Sequence, residues 1–227
     1  MTTDFKTIDI EKFANGIKTS ALQDTEVKSF QSLASVADYS TLTEARVFVT
    51  VVSVCFDGLN VKSPNEQVTL IRSIFEIFNG CHCCRDVQSV GNHVLAVFDT
   101  PLKTDIDSVL DSVGLVNALF GLVNRIHQKT GDGKIKKGVG MIYGNVLMSV
   151  LSQEPVINVS WSGSVVQKVL EYSNNAKSEE SLVYISYSIF NNLKESYQKL
   201  FVKDLYDERY HGQPVNIAMN KWNQSNV

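Results

Sequence analysis

The stretch Asp86–Pro101, DVQSVGNHVLAVFDTP, decides how the rest of the chain is organised. Its apolar residues recur mostly at every second position on either side of the pair Gly91-Asn92. Glycine accepts a positive φ angle and asparagine does so more readily than most residues, so this pair predicts a tight β-hairpin turn. A short turn also holds its side chains in fixed positions, which suits a residue that serves a functional site.

Before the hairpin, Arg46–Phe56 (RVFVTVVSVCF) is almost continuously apolar and β-branched. This composition predicts a central strand that is buried on both faces. Ser63-Pro64-Asn65-Glu66 then has the pattern of a helix capping box with proline at the first helical position. The apolar stripe that follows predicts a helix that ends at Asn79-Gly80.

After the hairpin, residues 105–129 carry apolar side chains at helical spacing and predict a long amphipathic helix. The turn Thr130–Gly133 leads to Lys136–Met148, which we predict as a strand interrupted at Gly144-Asn145. The remaining predicted elements are strand Val156–Ser160, helix Ser164–Tyr172, strand Leu182–Ile185, helix Tyr187–Glu195 and two late strands, Phe201–Leu205 and Pro214–Ala218.

The predicted order of elements is β-α-β-β-α-β, followed by shorter segments. This order is typical of an α+β fold, the ferredoxin-like split βαβ arrangement, in which helices cover one face of a single sheet. We expect residues 1–45 to form a helical arm, residues 46–222 to form the domain, and residues 223–227 to be a frayed tail.

The composition excludes several classes of protein. A net charge of −3 argues against a general nucleic-acid binder. No run of eighteen apolar residues predicts a membrane span, and the N-terminal MTTDFKTIDIEKF is unlike a signal peptide. The four cysteines, three of them at positions 81, 83 and 84, do not have the spacing of a disulfide framework. We therefore expect a reducing, cytoplasmic setting.

The run Cys81-His82-Cys83-Cys84 raises the question of a zinc site. On a strand, Cys81 and Cys83 would face one side while His82 and Cys84 faced the other, so one ion would not collect all four ligands. No second ligand pair of the usual spacing accompanies the run. We therefore expect these cysteines to pack as small apolar side chains of a strand.

Several short motifs together resemble the catalytic domain of class III nucleotidyl cyclases. The hairpin is similar to the Gly-Asp turn and apolar strand of that family, with Asn92 in place of the aspartate. The likeness runs from about Arg46 to Trp222 and is strongest for the pyrimidine cyclases of Pycsar antiphage defence. It implies that the ferredoxin-like core belongs to a cyclase domain. The other similar segments are Lys137–Leu151, Val159–Ala176, Ile185–Leu193 and Asn216–Trp222.

The resemblance implies where metal ions would bind. In this family two carboxylates hold two Mg²⁺ or Mn²⁺ ions, which bring the ribose 3′-oxygen onto the α-phosphate. The matching positions in this sequence are Ser53 and Asn92, and both side chains are uncharged. Asp57 is a weaker candidate for one carboxylate, because it lies four residues beyond Ser53 and past the expected end of the strand.

The resemblance also places the residues that contact the nucleotide. The transition-state asparagine of the family falls on Gln167, and its cationic partner falls on Glu171, which would repel a triphosphate if it faced the groove. The residue that helps to select the base falls near Gln88. The other expected nucleotide contacts are Phe56, Asp57 and Gly58.

These departures from the family pattern lead us to expect that turnover is absent. The leading hypothesis is an inactive cyclase-homology domain that acts as a nucleotide-sensing or regulatory dimer in cyclic-nucleotide signalling, including antiphage signalling. Class III cyclases act as dimers, so the expected partner is a second copy or another cyclase-like subunit. We expect no cofactor and neither a nucleic-acid nor a membrane partner.

Two other functions remain open from the sequence. The first is an active, divergent cyclase that converts a nucleoside triphosphate, such as UTP or CTP, to a 3′,5′-cyclic nucleotide and pyrophosphate with Mg²⁺ or Mn²⁺. The second is a purely structural dimerisation partner that binds no nucleotide.

Overall fold

The computed structural model describes residues 29–30, 44–57, 64–150, 159–179, 182–205 and 207–226. The strands in this part of the chain are β1 (Ser29–Phe30), β2 (Glu44–Asp57), β3 (Cys84–Val90), β4 (His93–Phe98), β5 (Lys136–Val150), β6 (Val159–Ser162), β7 (Val183–Ser186), β8 (Phe201–Lys203) and β9 (Arg209–Gly212). The helices are α1 (Pro64–Asn79), α2 (Lys103–Thr130), α3 (Ser164–Ser178), α4 (Tyr187–Asn192), α5 (Glu195–Gln198) and α6 (Ile217–Asn226).

The strands form one sheet in the order β3-β4-β2-β5-β7-β9-β8, with β1 paired to β2 and β6 paired to β5. Strands β3, β4, β2 and β5 lie side by side in this order, and α1 and α2 are the helices that connect them in the chain. This is the order of the ferredoxin-like core, so the predicted fold class is confirmed. The predicted hairpin is also confirmed, and Gly91 in its turn has a φ of 61°. Strand β7 then adds to β5 in parallel and extends the sheet.

Strand β2 is buried on both faces, as its composition predicts. Val52 and Val54 pack in the core beneath α1 and α2, while Val49 and Val51 pack in the core beneath α3. Because side chains alternate along a strand, Ser53 also points toward α3, and so do Cys55 and Asp57, at every second position after it. This alternation decides which polar side chains of β2 meet the helix.

Strand β5 is continuous across the full length of β2, so the predicted interruption at Gly144-Asn145 is wrong. The ladder runs from Glu44 opposite Ser149 to Asp57 opposite Lys136. Gly144 is needed because a Cβ atom there would lie 2.8 Å from the side chain of Val165 on α3. The glycine therefore makes room for the helix and does not end the strand.

Two described segments near the ends of the chain differ from the predicted elements. Residues 29–30 pair with β2 as a strand, whereas the sequence predicts a helical arm over residues 1–45; the rest of the arm before residue 44 lies outside the described residues. The predicted strand Pro214–Ala218 and the predicted frayed tail are replaced by α6. The side chain of Asn216 accepts a hydrogen bond from the Met219 N–H at the start of this helix, and Asn223 is buried against the Ala118 carbonyl of α2.

Helix α3 rests directly on the backbone of β5. A Cβ atom at Gly138 would lie 2.1 Å from the backbone nitrogen of Lys177 and 2.1 Å from the backbone oxygen of Ser173. At Gly140 it would lie 2.4 Å from the Val169 oxygen. The two glycines thus remove the side chains that would otherwise hold α3 away from the sheet, and they fix the height of α3 above β2.

Helix α2 is, among the described helices, the one that is long and apolar enough to cross a membrane, but 56% of its apolar window is buried inside this fold. That burial is what the core helix of a folded domain requires.

The buried His127 links α1 and α2. Its Nδ1–H donates to the Gly133 carbonyl at 2.8 Å, and its Nε2 contacts the carboxylate of Glu66 on α1. The hydrogen bond to Gly133, followed by the one to Glu66, raises the pKa of His127 above its ordinary value. The charged imidazole is therefore the form that this environment stabilises.

We expect the free energy of unfolding to fall as the pH rises above about 6.5, the ordinary pKa of histidine, because a raised folded-state pKa stabilises the fold only while His127 stays protonated. Urea unfolding at a series of pH values measures this fall. His127→Gln should remove it. His93→Gln should keep it, since burial lowers the pKa of His93 and gives its own contribution the opposite sign. An unchanged slope in His127→Gln would contradict the assignment.

Candidate functional site

A polar cluster lies where the end of β2 meets α3 and the hairpin turn. Ser53, Cys55 and Asp57 follow one another on the face of β2 that points toward α3. Across from them stand three polar side chains of α3 and two residues at the hairpin turn. These five residues are Ser173, Asn174, Lys177, Asn92 and His93.

The inner half of the cluster is buried. The Ser53 hydroxyl lies 2.9 Å from the Ser173 hydroxyl and 3.1 Å from Nδ1 of His93. Ser173 also donates to the Leu170 carbonyl of its own helix. Burial, followed by the charge of Lys177, lowers the pKa of His93, so the imidazole here is the neutral form at neutral pH.

The outer half of the cluster is built around Asn92. Its side-chain amide donates to the Asp57 carboxylate at 3.0 Å and to the Cys55 sulfur at 3.5 Å. The Cys55 thiol in turn donates to Asn174, and burial raises the pKa of this thiol. Asp57 forms an ion pair with Lys177, and the hydrogen bond from Lys177 is the main reason that the pKa of this carboxyl is lowered.

Ser53 and Asn92, the two positions that the sequence resemblance assigns to metal ions, lie in the same cluster, but no hydrogen bond between their side chains is among the described contacts. In the ladder between β2 and β4, Ser53 stands opposite Leu95, whereas Cys55 stands opposite His93 at the turn. Asn92 therefore forms its hydrogen bonds with Cys55 and Asp57, which lie two and four residues beyond Ser53 on the same face of β2. The assignment of the first metal position to Ser53 stays a prediction, and Asp57 is the carboxylate that the structure places beside Asn92.

The expected nucleotide contacts are divided between several places. Phe56 points away from the cluster into the core and packs against Phe120 with ring centroids 5.8 Å apart, so its side chain is not available to a ligand. Gly58 lies outside the described residues. Gln88 is tied to β6 and its own strand, because its amide donates to the Val159 carbonyl at 2.9 Å and to Asp86 at 2.7 Å.

Gln167 and Glu171 lie one helical turn apart on the exposed side of α3. Among the contacts of the described residues, neither side chain has a hydrogen-bond partner, and neither reaches the cluster around Asn92. Both side chains therefore lie on the exposed surface of α3, away from the polar cluster of their own chain.

The sequence motifs do not identify Ser173, Asn174 and Lys177 as members of this cluster. The signal for them is the phase of the helix, because Ser173 continues the buried stripe of α3 that begins with Val166 and Val169. A polar residue on the buried side of a helix indicates a partner on the opposite surface. The identity of that partner does not follow from the local sequence.

A cavity of about 610 Å³ adjoins the cluster at the same end of the sheet. Lys177 lines it and also pairs with Asp57, and Lys136 lines it while standing opposite Asp57 in the ladder. Four of its lining residues are lysines, and none of the described lining residues is acidic. The described lining is Asn117, Phe120, Gly121, Asn124, Lys134, Lys136, Lys137, Lys177, Ser178, Gln213 and Val215.

Lys137 is the buried lysine of this cavity. Burial, followed by the charge of Lys134, lowers the pKa of Lys137 to about 8. A lysine with this pKa is still mostly charged at pH 7, and an anion beside it would offset the cost of burying that charge. The cavity is therefore an electrostatic environment for an anionic ligand.

Solved structures of nucleotidyl cyclases share this architecture. The adenylyl cyclase CyaB from P. aeruginosa superposes with a TM-score of 0.58 over 77% of this chain and 97% of that chain, at 14% identity. A class III adenylyl cyclase-like ATP-binding protein from Pseudomonas aeruginosa gives a TM-score of 0.60 over 95% of this chain and 49% of that chain, at 15% identity. The chain has the fold of a class III nucleotidyl cyclase domain.

Comparison of sequences also relates this cyclase-fold domain to a nucleotidyl cyclase. No protein-family model matches it. A uridylate cyclase from Treponema porcinum is 26% identical over 196 residues, which is 83% of this chain and 68% of that protein. The resemblance to class III cyclases, and to a pyrimidine cyclase among them, is confirmed.

The donor set at the turn of this cyclase-fold domain does not fit two divalent cations. Mg²⁺ and Mn²⁺ prefer anionic oxygen ligands, and Asp57 is the one carboxylate that contacts Asn92 in the described structure. Its second oxygen is engaged by Lys177. The other side chains at this point are an amide and a protonated thiol, which do not replace a second carboxylate.

Proposed function

We propose that this cyclase-fold domain binds a nucleoside triphosphate without a divalent cation and does not cyclise it. The observation that carries the proposal is the environment of the hairpin turn, where Asn92 lies beside the neutral Cys55 thiol and the nearby carboxylate of Asp57 is paired with Lys177. Cyclisation of a triphosphate by this fold needs metal ions at that turn to activate the 3′-oxygen and to neutralise developing charge.

The residues on α3 support the absence of turnover. A neutral amide, Gln167, and an anionic carboxylate, Glu171, occupy positions that carry an asparagine and a cation in the family resemblance. Loss of a single transition-state donor commonly lowers a rate by roughly 10²–10³. Loss of that cation together with the metal ligands removes the main sources of charge stabilisation.

The lysine-lined cavity supports binding without a metal ion. A triphosphate needs positive charge around it, and ammonium groups supply that charge as point donors to phosphate oxygens. Lys134, Lys136 and Lys137 stand on the cavity wall beside Lys177. In this proposal the lysines take the place that Mg²⁺ has in an active cyclase.

We further propose that the domain acts as a regulatory or sensing dimer in a cytoplasmic cyclic-nucleotide pathway, of which antiphage signalling is one instance. The exposed Gln167 and Glu171 on α3 support a partner at that surface, either a second copy of this chain or another cyclase-like subunit. The Treponema porcinum relative supports a link to pyrimidine nucleotides.

The test of catalysis is incubation of the purified full chain with ATP, GTP, CTP and UTP and Mn²⁺, with products identified by mass spectrometry. We expect no cyclic nucleotide above a protein-free blank. The uridylate cyclase of Treponema porcinum, assayed in parallel, is the positive control. Any cyclic product from this chain would overturn the proposal that it is inactive.

The test of binding is calorimetry with each triphosphate in EDTA and again with Mg²⁺. We expect heat of binding in EDTA, with an affinity that changes less than about tenfold when Mg²⁺ is added, because the lysines already supply the positive charge. Binding that requires Mg²⁺ would contradict the metal-independent site. No binding of any nucleotide would favour the purely structural partner.

A second candidate function is an active, divergent pyrimidine cyclase. It is favoured by the 26% identity with a uridylate cyclase over most of this chain. This alternative requires a cyclic product from UTP or CTP in the same assay, with Mg²⁺ or Mn²⁺ as the cofactor.

A further inference from the structure

The run Cys81-His82-Cys83 lies in a turn and not on a strand, so its predicted placement is wrong. Helix α1 ends at Asn79 and β3 begins at Cys84, so the three residues belong to the connection. The Cys81 N–H donates to the Phe78 carbonyl at 3.0 Å, and the Cys84 N–H donates to the Cys81 carbonyl at 2.9 Å. A turn of this kind does not force successive side chains to opposite sides, so the strand alternation no longer argues against a metal site.

The turn brings three metal-binding side chains together. The sulfur atoms of Cys81 and Cys83 lie 3.4 Å apart. These sulfurs and a ring nitrogen of His82 all lie within 4.8 Å of one another. Two thiolates on a tetrahedral zinc ion lie about 3.8 Å apart, given a Zn–S bond of about 2.3 Å, so only a small opening of the pair is needed.

The carboxylate of Asp105 organises this group from α2. One of its oxygens lies 3.0 Å from Nε2 of His82, and the other accepts the Leu102 N–H at 2.9 Å. A carboxylate bonded to an imidazole fixes the orientation of the ring, which is the usual arrangement around a metal-binding histidine. The two cysteines are buried and His82 is exposed, so an ion has access from the histidine side.

Cys84 shows what a cysteine without such partners looks like in the same segment. Its sulfur lies 3.8 Å from the side-chain oxygen of Asn79 and 3.9 Å from the Asp86 carbonyl, and among the described residues no other sulfur and no imidazole forms a hydrogen bond with it. The sulfurs of Cys81 and Cys83 instead face each other beside a histidine. Cys81 and Cys83 belong to the apolar core, as expected of small apolar side chains, but apolar packing alone does not require their sulfurs to lie together beside an imidazole.

We propose that Cys81, His82 and Cys83 form a binding site for a thiophilic d¹⁰ cation, with Zn²⁺ as the ion that fits a mixed sulfur and nitrogen ligand set. On binding, both thiols release their protons to solvent and the thiolates and the imidazole coordinate the ion, with one position left for water. The ion would hold the connection between α1 and β3 in its turn, and the contact of His82 with Asp105 joins that connection to the start of α2.

This site is independent of the proposed nucleotide site. Strand β4 begins at His93 beside the polar cluster and ends at Phe98, and the Asp99 N–H that follows donates to the Cys83 carbonyl at 2.9 Å. The two sites therefore lie at opposite ends of the same strand. Failure of one proposal leaves the other standing.

The test uses the reduced full chain, stripped of metal and titrated anaerobically with Co²⁺ and then Zn²⁺. We expect one equivalent of Co²⁺ to give a thiolate charge-transfer band and the visible bands of a tetrahedral ion, and Zn²⁺ to remove them. The double variant Cys81→Ser/Cys83→Ser should lose the bands, and His82→Ala should bind at least about tenfold more weakly. Cys84→Ser is the matched control and should titrate like the wild type.

A second measurement on the wild type avoids dependence on how the variants fold. Alkylation by iodoacetamide, followed by peptide mass spectrometry, should be slowed by Zn²⁺ at Cys81 and Cys83 and unchanged at Cys84. Absence of a thiolate band together with unaltered alkylation would overturn the proposal. So would a band that survives in the double variant or disappears in Cys84→Ser.

Discussion

Replacement of Gly138 by alanine should destabilise the domain by about 3 kcal/mol or more, the upper part of the range for overpacking a tightly packed site. The added methyl group would meet the backbone nitrogen of Lys177 and the backbone oxygen of Ser173 at 2.1 Å. Backbone atoms inside a helix do not move aside singly. The whole of α3 would have to lift from β5, which would open the core around Val169 and Tyr172.

Urea unfolding of Gly138→Ala, followed by circular dichroism, measures this loss. Gly121→Ala is the matched control, because Gly121 lies on α2 with no atom within 4 Å of its added Cβ. Alanine should leave the control as stable as the wild type or stabilise it by up to about 1 kcal/mol, since alanine favours helix over glycine. A Gly138→Ala midpoint close to that of the control would show that α3 does not rest on this strand.

The second large effect concerns the lysine-lined cavity. The double variant Lys134→Gln/Lys136→Gln should weaken triphosphate binding by about 100-fold or more, because a hydrogen bond to a charged group typically contributes about 1.5–3 kcal/mol. Both lysines are exposed at the cavity wall, so the neutral amides should not disturb the fold. Calorimetry with the triphosphate that binds the wild type most tightly measures the change.

The control for this variant is Lys103→Gln/Lys221→Gln. It removes the same charge from two exposed lysines, on α2 and α6, that do not line the cavity. Its affinity should stay within about threefold of the wild type, because distant exposed charges are screened by salt. Equal weakening in both double variants would mean that the effect comes from net charge and not from this cavity.

Local patterns in the sequence predict the elements near the hairpin well. Gly91-Asn92 identifies the turn because few residue pairs accept its backbone angles, and the unbroken apolar run of Arg46–Phe56 requires burial on both faces. The apolar residues at helical spacing along α2 predict that helix in the same way. In each case the pattern that decides the structure lies within one short segment.

The candidate site is harder to predict because it depends on register and on distant contacts. The motif match assigns Ser53 on the first strand and Asn92 at the turn to one site, but the pairing of β2 with β4 places Cys55, and not Ser53, opposite His93. A strand offers the same alternation at every second residue, so nothing local distinguishes the two positions. The ion pair between Asp57 and Lys177 joins residues far apart in sequence, and only the tertiary fold brings them together.

The errors at the two connections have a different physical origin. The three residues after Gly80 are largely apolar in character and read as the start of a strand, yet backbone hydrogen bonds hold them in a turn. Pro214–Ala218 also reads as a strand, but the side chain of Asn216 caps the next helix. Side-chain capping of this kind competes with strand pairing and is not visible in hydrophobic periodicity.

Helix α3 carries Gln167 on its exposed side near one end and Lys177, which belongs to the cavity wall, near the other. Ten residues of α-helix span about 15 Å and behave as a rod. At Gly138 and Gly140 of β5 no side chain separates the helix from the strand. We therefore expect the helix to move as one body when one end is displaced. In the proposed dimer, a ligand that draws the ammonium group of Lys177 away from Asp57 would therefore act on the same rigid helix that the neighbouring subunit contacts.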